Sequence, residues 1–119
     1  MHIAFLNPQG NFDRDDSYLT EHADFGGQLV YVKEVCLALA ELGVQVDIVT
    51  RRFDDSQWSG FSEQLAWYTK DRSGPRIVRL DCGGAGFLRK EELWPHLDEW
   101  VASIQAFYAD KLPDALTAH

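Results

Sequence analysis

The sequence predicts an α/β fold, a parallel sheet flanked by helices, and three observations carry that reading. Short apolar or β-branched runs recur at His2–Leu6, Val44–Thr50 and Arg76–Asp81. Two stretches, Gln28–Leu42 and Pro95–Asp110, place apolar residues at offsets of three and four. Gly43 stands at the junction of the first such stretch with the next strand, where a left-handed helix cap is expected. Strand, helix, glycine, strand is a βαβ unit, whose crossover is almost always right-handed.

The elements follow in order. His2-Ile3-Ala4-Phe5-Leu6 is an apolar run closed by Asn7-Pro8-Gln9-Gly10, a buried first strand ending in a turn. From Asn11 to Phe25 the periodicity is lost, and Asp13, Asp15, Asp16, Glu21 and Asp24 crowd into what reads as a long surface loop. Long ordered loops of this kind are uncommon and often functional. In the first helix Val32, Val35, Cys36, Leu39 and Leu42 share a face, and Leu29, Val30 and Leu37 widen it. Lys33, Glu34 and Glu41 leave a narrow polar stripe, so the helix is expected to be buried on most sides. Leu65–Thr69 is the only strand candidate in the poorly patterned segment Arg51–Pro75, with Asp71-Arg72-Ser73-Gly74-Pro75 as its exit turn. Gly83-Gly84-Ala85-Gly86 reads as a loop. The second helix presents Leu97, Trp100, Val101, Ile104, Phe107 and Tyr108, with Pro95 in its first turn. Ala115–His119 reads as a last strand.

With 119 residues there is room for one folded unit, and 45% hydrophobic residues can build its core. Eleven basic against 19 acidic side chains leave a net charge of −8, which argues against a nucleic-acid or anionic-membrane surface. No run approaches a membrane span, and the N-terminus lacks the basic region of a secretory signal. Cys36 and Cys82 read as unpaired thiols, which fits a reducing compartment. A cytoplasmic globular domain is the expectation.

In doubly wound sheets ligands bind outside the carboxyl ends of the strands. Asn7–Gly10, Thr50-Arg51-Arg52, the Gly83–Lys90 loop and His119 reach that edge. The strongest feature is Gly26-Gly27-Gln28 at the start of a helix. Glycines let backbone approach a ligand, and the unpaired N–H groups of a first helical turn attract phosphate. A plain tight turn explains the same glycines equally well. Lys90 is positioned to reach an anion, or is a solvated lysine beside Glu91 and Glu92. Arg51 and His119 are either cleft-lining or ordinary strand-end residues. A calcium loop starting at Asp13 fails, because its sixth and twelfth positions hold Tyr18 and Asp24 instead of Gly and Glu. Two cysteines 46 positions apart with no CxxC partner give no zinc site, so no metal is expected. No nucleophile elbow is present.

Longer blocks carry a resemblance. Phe5-Leu6-Asn7-Pro8-Gln9-Gly10-Asn11-Phe12, Thr20-Glu21-His22 and Asp24–Val35 resemble the N-terminus of the sucrose-phosphate synthase family. So do Val46–Arg52, Arg76-Ile77-Val78-Arg79 and Lys90-Glu91-Glu92-Leu93-Trp94-Pro95. The resemblance implies the N-terminal portion of a retaining GT-B glycosyltransferase, which pairs two Rossmann-like domains and transfers glucose from UDP-glucose to fructose 6-phosphate. Residues 1–119 would then be part of the acceptor-binding domain, with the C-terminal donor domain missing and no activity expected of this part alone. By the likeness Gly26, Gly27 and Gln28 line the cleft and Lys90 contacts the acceptor. Neither a cofactor nor a structural metal is implied, and no carboxylate of this chain is nominated as general base. Two alternatives stand beside it: a sucrose synthase-like transferase using free fructose, and a non-catalytic sugar-phosphate-binding module.

Overall fold

A computed structural model describes residues 1–9, 27–54, 61–86 and 88–118; for residues 27, 28 and 90 it describes the backbone alone. The acidic loop with its calcium reading, Gly26, and His119 lie outside the described residues. Five strands, β1 (His2–Leu6), β2 (Gln45–Arg51), β3 (Leu65–Trp67), β4 (Arg76–Leu80) and β5 (Ala115–Ala118), form one sheet in the order β3-β4-β2-β1-β5. Helix α1 spans Gly27–Glu41, a single turn α2 spans Lys90–Leu93, and α3 spans Leu97–Phe107 after a 3-10 turn at Trp94–His96.

Side chains alternate between the two faces of each strand. Phe5, Val46, Ile48 and Ile77 therefore meet Leu29, Val32 and Cys36 of α1 on one face. Ala4, Val49, Val78 and Leu80 meet Trp100 and Ile104 of α3, and Tyr108 after it, on the other. β1, β2, β4 and β5 are mutually parallel, with Phe5 opposite Ile48 and Thr117, and Ile48 opposite Ile77. Gly43 has φ +86°, and the helix end closes through Gly43 N–H to Ala40 O (3.0 Å) and Val44 N–H to Leu39 O (3.2 Å).

Four expectations need correction. The sheet is mixed, because β3 runs antiparallel to β4, with Ala66 opposite Ile77. Its connection is a tight turn, and so short a link permits only an antiparallel return. In that turn the Asp71 carboxylate accepts from Ser73 N–H, and Arg72 takes φ +62°. Second, α1 is buried on one face only: Val30 is 40% and Tyr31 60% exposed. Among the described residues its outer side meets no second layer. Third, Leu42 is 80% exposed, since the helix ends at Glu41 and the cap turns Leu42 off the apolar stripe. Fourth, the second helix does not begin at Pro95. Pro95 sits inside the 3-10 turn, where its missing N–H costs no α-helical bond, and the α-helix starts at Leu97.

Candidate functional site

Because β1, β2, β4 and β5 are parallel, Leu6, Arg51, Leu80 and Ala118 end at one edge. The chain leaves β1 toward β2 on one side, while β5 lies on the other, so the topological switch point falls between β1 and β5. Asn7 stands there. Its N–H donates to Val49 O at 2.8 Å, which carries the ladder one residue past the strand. Its side chain is fully buried, and neither Oδ1 nor Nδ2 has a hydrogen-bond partner among the described residues. Leaving such a group unsatisfied costs about 1–3 kcal/mol. A carboxamide offers both a donor and an acceptor, the pair that a hydroxyl group satisfies.

Helix α1 opens at Gly27 after the connection from β1, so its N-terminus belongs to the same edge. The first amides of a helix have no partner within it and form the positive end of its dipole. That is the electrostatic basis for an anion beside Gly27 and Gln28, whose side-chain surroundings are not described.

The third component is the loop from Asp81 to Gly86. Gly83 (φ +66°) and Gly84 (φ +83°) both lie in the left-handed region. Arg51, 3% exposed, donates from Nε to Cys82 O at 2.8 Å and from Nη2 to Gly84 O at 2.9 Å. Arg52 donates to Ser62 O (2.6 Å) and pairs with Asp81 at 3.0 Å. From the other side Gly83 N–H donates to Glu99 Oε1 at 3.2 Å, and Ser103 Oγ donates to Asp81 O at 2.8 Å. The loop delivers the chain to α2, whose first residue is Lys90. Arg89 caps it with extended backbone, its N–H donating to Glu92 Oε1 at 3.1 Å.

The structure thus brings Asn7, Gly27, Gln28, Arg51 and Lys90 to one sheet edge, and Gly26 and His119 lie outside the described residues. Arg51 is neither a solvated strand-end residue nor an open cation, because loop carbonyls occupy its guanidinium. Burial pushes the Cys36 thiol up to about 12 and raises that of Cys82, so neither acts as a thiolate near neutral pH. Among the described residues no three His, Cys, Asp or Glu side chains converge as metal ligands. No described helix is long and apolar enough to cross a membrane.

Sequence reasoning missed a second polar cluster at the opposite edge. Asp47, with no exposed surface, accepts from His2 Nε2 (2.8 Å), Arg76 Nε (2.9 Å), Arg76 Nη2 (2.7 Å) and Tyr108 OH (2.5 Å). Burial alone would raise its pKa. The Arg76 and Tyr108 hydrogen bonds, the Arg76 charge and the His2 hydrogen bond outweigh burial and hold it below the usual carboxylate range. Burial and the Asp47 charge push the Tyr108 phenol up in turn. A cavity of about 390 Å³ between Asp47, Trp67, Arg72 and Arg76 lies at this edge too. It opens at the amino ends of the strands, the wrong end for the ligand of a doubly wound sheet. The only sequence signal for the cluster is an Asp inside the apolar run Val46-Asp47-Ile48-Val49.

No family model matches the chain. It is 52% identical to a probable sucrose-phosphate synthase of Thermosipho melanesiensis over the whole of this chain and 28% of the relative. It is 41% identical to a mannosylfructose-phosphate synthase of Agrobacterium fabrum over 86 residues, 71% of this chain and 17% of that one. Among solved structures, a sucrose-phosphate synthase from Thermosynechococcus elongatus superposes with TM-score 0.76 at 23% identity, covering 99% of this chain and 27% of the other. The likeness to sucrose-phosphate synthases therefore runs the full length of this chain, and its α/β fold is shared with one of them. The chain spans about a quarter or less of the length of these relatives.

Proposed function

We propose that this chain is the acceptor-binding part of a sucrose-phosphate synthase-like, retaining GT-B glycosyltransferase that moves glucose from UDP-glucose to fructose 6-phosphate. One observation carries the assignment to the acceptor side. The two relatives named above make products that differ in the sugar transferred but share a phosphorylated fructose unit, and both match this chain. The phosphorylated fructose unit common to both names supports placing a segment that both share on the acceptor side. It also favours a phosphorylated acceptor over free fructose.

The geometry supports the same reading. Gly27 and Gln28 open α1 and Lys90 opens α2 after the loop from β4, at the sheet edge where the Asn7 carboxamide has no partner among the described residues. In this reading Lys90 contacts the acceptor, Gln28 orients it, and Asn7 faces a hydroxyl. Helix-end amides stabilise the negative charge that builds on the departing diphosphate. The proton of the attacking hydroxyl goes to an oxygen of that diphosphate, so no carboxylate of this chain serves as base. No metal or cofactor takes part. The working compartment is the cytoplasm, and the nucleotide sugar is held by a separate donor domain. Residues 1–119 alone then lack the second bound substrate, whose proximity is worth about 7–11 kcal/mol, and do not turn over.

The test is a titration of the isotopically labelled chain followed by NMR. Fructose 6-phosphate should shift amide signals of the first turn of α1 and of α2. Free fructose should shift them far less, and UDP-glucose not at all. Saturable UDP-glucose binding without a response to fructose 6-phosphate refutes the assignment.

A further inference from the structure

We propose that Arg51 is a positioning residue for the acceptor site, holding the glycine loop after β4 in the shape that sets α2, and with it Lys90, at the ligand edge. The inference rests on the acceptor reading above and goes beyond it, since Arg51 acts without touching the substrate.

The physical chain has three links. Arg51 turns carbonyls of one short loop toward a single guanidinium, with Cys82 O and Gly84 O at 2.8 and 2.9 Å and Gly83 O at 3.5 Å. Presenting successive carbonyls to one side requires left-handed backbone, which Gly83 and Gly84 supply. A planar fork with several donors spans those acceptors, whereas a lysine ammonium presents one point charge. The second link is packing. A Cβ added at Gly83 would come within 2.8 Å of Leu88 Cδ1 and 2.9 Å of the His96 ring. Gly83 is thus wedged between the residues just before and just after α2. The third link is sequence distance. Leu88 is two residues from Lys90, so a shift of the loop at Gly83 passes directly into the start of α2. The purpose of burying an arginine at 3% exposure here is the shape of that loop.

The experiment compares the 119-residue chain with Arg51→Met, Arg51→Lys and, as a control at the far edge, Arg76→Lys. Amide hydrogen exchange and the fructose 6-phosphate titration are both read by NMR. Arg51→Met should speed exchange from Asp81 to Ala85 at least about tenfold, leave β1 and α1 protected, and weaken fructose 6-phosphate binding about tenfold. Arg51→Lys, which keeps charge but not the fork and folds if the methionine variant does not, should show most of both effects. Arg76→Lys should lower thermal stability while leaving the loop and the affinity alone. Full rescue by lysine overturns the proposal, as does a loosened loop with unchanged affinity. If the wild-type chain ignores fructose 6-phosphate, the acceptor reading itself fails. If it binds and Arg51→Met binds equally well, only this inference fails.

Discussion

Asp47→Asn tests the polar cluster that ties the N-terminus, β2, β4 and the end of α3 together. The carboxylate has no exposed surface and accepts hydrogen bonds from three side chains, two of them from the Arg76 guanidinium. An asparagine keeps the shape but removes the charge, and its amide nitrogen faces donors. Breaking a buried pair from one side costs about 3–5 kcal/mol. The Arg76 side chain retains 26% exposure, so water recovers part of the loss and the lower end, about 3 kcal/mol, is expected. For a chain of this size that lowers Tm by about 10–15 °C. The pH dependence has a definite sign. The folded pKa of Asp47 is depressed, so its contribution is fully present above the unfolded value, about 3.9, and fades as pH falls through the folded value. The wild-type chain should therefore lose stability steeply below about pH 4, and Asp47→Asn should lose less over the same interval. Urea unfolding at several pH values measures both effects. A loss under about 1 kcal/mol at neutral pH, or parallel acid limbs for the two proteins, would show that the cluster behaves as an ordinary surface ion pair.

Gly83→Ala combines left-handed strain with collision against Leu88 and His96, and should cost about 1–3 kcal/mol. Gly84→Ala has the same strain but open space, so it should cost about 1 kcal/mol, and paired thermal melts compare them. Lys90→Ala should weaken fructose 6-phosphate binding by about 10- to 150-fold, from the roughly 1.5–3 kcal/mol of a charged hydrogen bond; an unchanged affinity removes Lys90 from the site. Among the described residues β5 pairs only with β1, and Leu116 is 56% exposed, so the chain should self-associate as concentration rises. Sedimentation of Leu116→Lys should show that association reduced.

Legibility in the sequence followed the range of the interactions. β1, β2, α1 and the Gly43 cap were readable because each rests on a local pattern, a β-branched run, helical spacing or one residue's conformational freedom. The four residues of the Asp47 cluster come from positions 2, 47, 76 and 108, and no periodicity links them. Arg51 was visible as an arginine at a strand end, yet its role required knowing that Cys82 and Gly84 carbonyls face it across 31 and 33 positions. For the candidate site, Gly27 and Gln28 at the start of α1 and Lys90 at the start of α2 were proposed from residue type and order. Asn7 was placed at the edge from the turn after β1, while its unpartnered burial depends on neighbours that a sequence does not specify. By itself the sequence determined the α/β class and the strands and helices with strong periodicity. The tertiary structure alone decided the antiparallel edge strand, the exposed outer side of α1 and which charged side chains are buried. Burial and hydrogen-bond partnership are properties of pairs far apart in the chain, and they leave no mark on the local pattern of either member.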